Sequence, residues 1–251
     1  IGSAYETNGI EEKIGEVTIQ NNKLCFDMAS YRPKTFAVRL KKGNVKAAPI
    51  KNIPLQLPFN SKAFTPENFG YTVSFDKKGN SFAAELIGDK VTCDNITFSI
   101  ADHENKNVIK CKGDTIQLPK EAAGKKLYIL AASTDKDRKS TFLVNGKSHE
   151  FEIPYYSGFY GQWGHKGVSD GYIRNASLAY IGSHRHTEKG NDTYIYTYMY
   201  KLGIELPQEA HTLVLPKDEN IAVFAITLSD NYIDDISTAN EMRTLPLEVS
   251  K

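Results

Sequence analysis

Alternation of apolar and polar positions, with a period of two, runs through most of this chain. It is strictest over residues 192–202. There Tyr194, Tyr196, Tyr198 and Tyr200 take one set of alternate positions, and Ile195, Thr197 and Met199 the other. A helix has no such period, so the stretch reads as a strand with a tyrosine face. Residues 16–19 and 23–26 alternate on either side of Asn21-Asn22, which predicts a hairpin, and 35–40 reads as a third strand. Further strands are predicted over 97–100, 115–118 and 126–131. In the last of these the unbroken run Leu127, Tyr128, Ile129, Leu130 suits a strand buried on both faces. Residues 140–144 and 147–153 flank Asn145-Gly146, a strong hairpin-turn signal. Strands over 203–206, 211–215 and 221–228 follow, and a short helix is expected over 234–242.

Prolines punctuate this pattern. Pro49, Pro54, Pro58 and Pro66 fall within 47–66, which predicts an extended strap lying over a surface rather than a central strand. A phrase Ile-x-Leu-Pro at 116–119 and 204–207, with the related 213–216, predicts strands ending at sheet edges. A succession of strands with short turns gives an all-β fold class, built as one antiparallel β-sandwich or two. The charged turn at 41–44 reads as a boundary between two β-rich blocks.

Composition narrows the possible roles. The 251 residues suffice for one large domain or two small ones. Lys plus Arg number 31 and Asp plus Glu 30, a balance that argues against a nucleic-acid or membrane-surface partner. No apolar run approaches the ~18–20 residues of a membrane span. Cys25, Cys93 and Cys111 are too few for a disulfide framework, and Cys25 and Cys93 lie in apolar strand contexts that favour inert, buried thiols. The start on Ile1 reads as a piece of a longer protein.

Two segments carry candidate chemistry. The stretch 155–165 holds the only tryptophan, Trp163, among glycines and aromatics, with Tyr160 and His165 beside it. Flat aromatic faces on a glycine-rich loop suit a carbohydrate platform; the same residues also suit a plug for the end of a sandwich. Downstream, His184 and His186 share one face of an extended chain, a metal-ligand spacing, with Asp192 as a further carboxylate. Without a third convincing ligand no metal is assigned to them. Arg185 between them suits a two-pronged grip on a carboxylate, and all three also suit an interface where they satisfy buried carbonyls. Glu85, Asp89, Asp170, Glu188 and Asp192 supply carboxylates of the kind glycosidases pair across a scissile bond, though no motif singles out two of them.

The phrase at 179–186, the tyrosine strand after it, and the phrases at 204–207, 213–216 and 221–227 together resemble the C-terminal end of bacterial α-mannosidases of glycoside hydrolase family 38. Residues 5–9 and 31–38 are similar to the end of the large β-domain of those enzymes, and 127–133 and 158–163 to the same tail. The resemblance implies that 1–45 are the terminal strands of a preceding β-domain and that 46–251 form a C-terminal sandwich of galactose-binding-like jelly-roll type. It further implies a periplasmic or secreted parent enzyme whose zinc and aspartate nucleophile lie in a catalytic domain outside this sequence. No catalytic residue carries over to this chain, and no cofactor is expected in it. Its partners would be that catalytic domain and mannose-containing glycans. Tyr160, Trp163, His165, His184, Arg185 and His186 would be the residues nearest sugar.

Overall fold

The computed structural model describes residues 1–41, 50–67, 73–158 and 176–230. The chain forms two compact units, Ile1–Pro49 and Ile50–Lys251. In the first, β1 (Ser3–Thr7), β2 (Lys13–Glu16), β3 (Thr18–Gln20), β4 (Lys23–Cys25) and β5 (Thr35–Arg39) make a three-stranded sheet, β2-β1-β5, and the separate hairpin β3-β4. The hairpin turns on Asn21 and Asn22, both at positive φ, as the sequence predicts.

The second unit contains β6 (Asn52–Pro54), β7 (Phe64–Thr65), β8 (Ser81–Ala83), β9 (Lys90–Cys93), β10 (Ile96–Ser99), β11 (Ile109–Lys110) and β12 (Thr115–Gln117). It continues with β13 (Lys126–Ser133), β14 (Arg138–Val144), β15 (Lys147–Ile153), β16 (Ser177–Thr187), β17 (Gly190–Glu205), β18 (Thr212–Val214) and β19 (Ile221–Ser229). One large sheet runs β11-β19-β13-β17-β16-β8-β7, with β6 also paired to β19. A four-stranded sheet, β12-β18-β14-β15, is the second layer. Their strand pairs are antiparallel except β7 with β8, which is parallel.

Strand β13 shows how the layers are held. Every residue in it is buried. Leu127, Ile129 and Ala131 enter the core shared with Phe142, Val144, Ile153 and Leu213 of the four-stranded sheet. Tyr128, Leu130 and Ala132 enter a second core on the opposite face, with Phe64, Phe75, Phe82, Ile96 and Phe98. The unbroken apolar run in the sequence therefore reflects burial on both sides. Phe75, Phe82, Tyr156 and Phe224 pack there in edge-on and tilted pairs, with centroids 5.0–5.8 Å apart.

The 47–66 segment includes two short extended pieces and no central strand among its described residues: Asn52–Pro54 pairs with β19 and Phe64–Thr65 with β8, which it flanks at the end of the sheet. Two expectations change. The proline phrases mark strand ends, but only β12 is an edge strand; β17 and β18 each lie between two neighbours, so the proline stands just past the ladder rather than at its margin. Cys25, on the short hairpin β3-β4, is exposed and Cys93 half-buried; Cys111 is the buried thiol, and burial pushes its pKa up. The helix expected over 234–242 lies outside the described residues. No helix among the described residues is long and apolar enough to cross a membrane.

Candidate functional site

Strand β16 places Tyr180, Gly182, His184 and His186 at alternate positions, so they line one face of the strand. Arg185 faces the other way. Strand β8 lies alongside, with Ser81 opposite His186 and Phe82 opposite Arg185. Immediately after β8 the chain makes a single 3₁₀ turn, Ala84–Leu86, which turns Glu85 back over the histidine row. The result is a three-residue cluster. Glu85 Oε1 lies 3.1 Å from His184 Nε2 and 2.9 Å from His186 Nε2. The two imidazole rings stack with centroids 5.4 Å apart. His186 is buried, at 4% exposure, whereas the side chains of His184 and Glu85 keep 15% and 30% of theirs. Ser183 Oγ sits 3.3 Å from His184 Nδ1 and steadies the outer ring.

The turn before β8 is fixed by a buried carboxylate. Asp76 accepts hydrogen bonds from the backbone N–H groups of Lys78 and Asn80 and from the Asn80 side chain, at 2.8–2.9 Å. Tyr156 donates its hydroxyl to the same group at 2.8 Å. Burial, and then the nearby Asp76 charge, push the Tyr156 pKa upward and keep that hydroxyl a donor. This network holds the turn that leads into β8, the strand that Glu85 follows.

Tyr180 continues the row. Burial, and next the Glu85 charge, raise its pKa and hold it in the neutral phenol form. Gly182 leaves a notch: a Cβ there would stand 2.5 Å from Thr197 Oγ1 and 2.9 Å from the Tyr180 hydroxyl. Thr197 Oγ1 is buried, with no hydrogen-bond partner among the described residues.

The structure therefore brings His184 and His186 together but gives them a different carboxylate from the one that sequence proximity suggests. Asp192 lies opposite Arg185 across the β16-β17 ladder and accepts from its Nε at 2.8 Å and its Nη2 at 2.7 Å. Arg185 thus grips a carboxylate of this chain. Glu85 precedes the histidines by about a hundred residues and lies in no motif; only the pairing of β8 with β16 reveals it. Tyr160, Trp163 and His165, the other candidates, lie outside the described residues, as does Asp170.

A family model described as an AziU2-like beta-sandwich domain matches residues 51–232. A search of curated proteins gives no match. The family match spans most of the chain and agrees with the layered strands seen here: the chain belongs to the AziU2-like β-sandwich family.

Proposed function

We propose that this member of the AziU2-like β-sandwich family serves as a non-catalytic accessory region of an α-mannosidase-like glycoside hydrolase of family 38. It would pack on a zinc-dependent catalytic domain encoded outside this sequence and help shape that domain's sugar site. The carrying observation is where the resembling phrases fall. The stretches at 179–186, 192–202, 204–207, 213–216 and 221–227 are not scattered loops. They are β16, β17, β18 and β19 with the turns that join them, and they include the histidine row. The residues that carry the resemblance are thus framework strands, and they include His184 and His186 of the imidazole–carboxylate cluster, while Glu85 comes from outside them. The first unit supports the same reading. Its strands leave Ile14, Ile19 and Val38 exposed, as expected of strands completed by a further domain.

The test compares the 251-residue chain with its full-length parent. The parent is expected to hydrolyse an aryl α-mannoside in a zinc-dependent reaction, and this chain alone to show no turnover. Turnover by the chain alone would overturn the accessory reading and make it a self-contained hydrolase. Binding of mannose-containing glycans by the chain alone, lost in Trp163→Ala, would instead make it an independent carbohydrate-binding module. A parent reading frame without a zinc-binding catalytic domain would remove the family 38 assignment.

A further inference from the structure

We propose that Glu85, His184 and His186 form a binding site for one divalent transition metal ion of the zinc type. This goes beyond the accessory role and does not depend on it. The donor atoms, one from each side chain, lie within 4.8 Å of one another. An ion bound at about 2.0–2.2 Å from each donor holds neighbouring donors roughly 2.9–3.5 Å apart, from octahedral to tetrahedral geometry. The carboxylate–imidazole separations of 2.9 and 3.1 Å already fall in that range. Only the two imidazole nitrogens need adjust.

The site is built rather than incidental. Both histidines stand on one strand at the spacing that aims two rings the same way, and their rings are already stacked. The carboxylate stands on the 3₁₀ turn that directly follows β8, a strand hydrogen-bonded to β16, so only one residue separates it from the sheet. The inner ligand is buried, and the outer one has a hydroxyl on its second nitrogen, the usual support for a metal-bound imidazole. Two imidazoles and one carboxylate suit zinc, iron(II), cobalt or nickel over calcium or magnesium, which prefer oxygen throughout. Three protein ligands leave at least one position on the ion for water or a small ligand. Tyr180, next on the row and held as a neutral donor, is the polar group along that face.

The experiment uses the whole 251-residue chain, freed of any affinity tag and stripped with a chelator. Zinc is titrated in competition with a chromophoric chelator, and cobalt(II) is titrated with its visible absorption recorded. The expected result is one equivalent per chain, with cobalt bands of four- or five-coordinate geometry and no thiolate charge-transfer band. His184→Gln and Glu85→Gln should each weaken zinc binding by more than the roughly ten- to hundredfold loss typical of outer-shell partners. His186→Ala should do the same; should that buried change unfold the chain, the two more exposed variants carry the test. Asp192→Asn, which touches Arg185 instead, should bind as the unaltered chain does. Absence of a one-to-one site, a cobalt spectrum carrying the thiolate band, or undiminished binding after His184→Gln and Glu85→Gln would each overturn the proposal.

Discussion

Arg138 joins three stretches of chain through one planar group. Its Nε and Nη2 donate to the two oxygens of Asp135 at 2.7 and 2.6 Å, and its Nη1 donates to Asp218 Oδ2 at 2.9 Å. Asp135 follows β13, Arg138 opens β14 and Asp218 lies between β18 and β19, so the guanidinium pins turns from both layers of the sandwich. The hydrogen bonds from Arg138 hold the Asp135 carboxyl at about 2, against a smaller opposing effect of burial. A carboxyl depressed on folding adds stability above its unfolded value, and that contribution disappears as pH falls through the folded value. Here the window runs from about 4 down to about 2. Solvent reaches more than a third of the Asp135 side chain, so screening reduces the gain to about 1 kcal/mol. Replacing Arg138 by Met should therefore lower the unfolding free energy at pH 7 by about 1–2 kcal/mol, with Asp218 also losing its partner. It should also flatten the loss of stability between pH 4 and pH 2. Urea unfolding at pH 7, 4 and 2.5 measures both effects, and equal acid sensitivity in the two proteins would refute this account of Asp135.

At the scale of elements, β16 and β17 show both how far a strand pattern reaches and where it stops. The period-two pattern locates β17 and names its tyrosines. It also predicts one continuous tyrosine face, and that face is broken. Between the pairs Gly182–Thr197 and His184–Thr193, residues Tyr194 to Tyr196 oppose Ser183 alone, and Tyr194 takes a positive φ. Such a bulge turns a side chain outward: Tyr194 is 79% exposed, while Tyr198 and Tyr200 are buried. Bulges leave no reliable mark on an alternating sequence, because the extra residues keep the same chemical types. The histidine pair was legible for the opposite reason, since two positions on one strand suffice to place it. Glu85 stands among the candidate carboxylates in the sequence, but its place beside the histidines was not legible, because a carboxylate brought in by non-local pairing has no fixed sequence distance from its partners. Gly182 belongs to this same row and is tested directly. In Gly182→Ala the new methyl would meet Thr197 Oγ1 at 2.5 Å, inside a buried ladder. The expected cost is about 1–3 kcal/mol in chemical denaturation, as for other overpacked core positions. Adding Thr197→Ala to that variant should recover part of the loss. A double variant no more stable than Gly182→Ala would show that the hydroxyl is not the obstacle.

Across the whole molecule, burial is divided very unevenly between the two units. The unit from Ile50 onward encloses two cores, one on each face of the large sheet, and β13 contributes side chains to both. The unit Ile1–Pro49 has strands but no comparable interior: among its described residues only Ala4 and Thr7 are buried. Hydrogen-bonded pairing alone does not hold a small sheet together in water, and a chain of this size has little apolar surface to remove from it. Cooperative unfolding should follow the cores. A fragment of residues 50–251 should melt in one sharp denaturant transition, since losing either face of the large sheet exposes β13 and undermines the other. A fragment of residues 1–49 should give a broad, non-cooperative change in far-ultraviolet circular dichroism at every urea concentration. A sharp transition from 1–49 alone would mean that its three-stranded sheet is stabilised by contacts other than the burial described here. A gradual one from 50–251 would mean that the two cores do not melt as one.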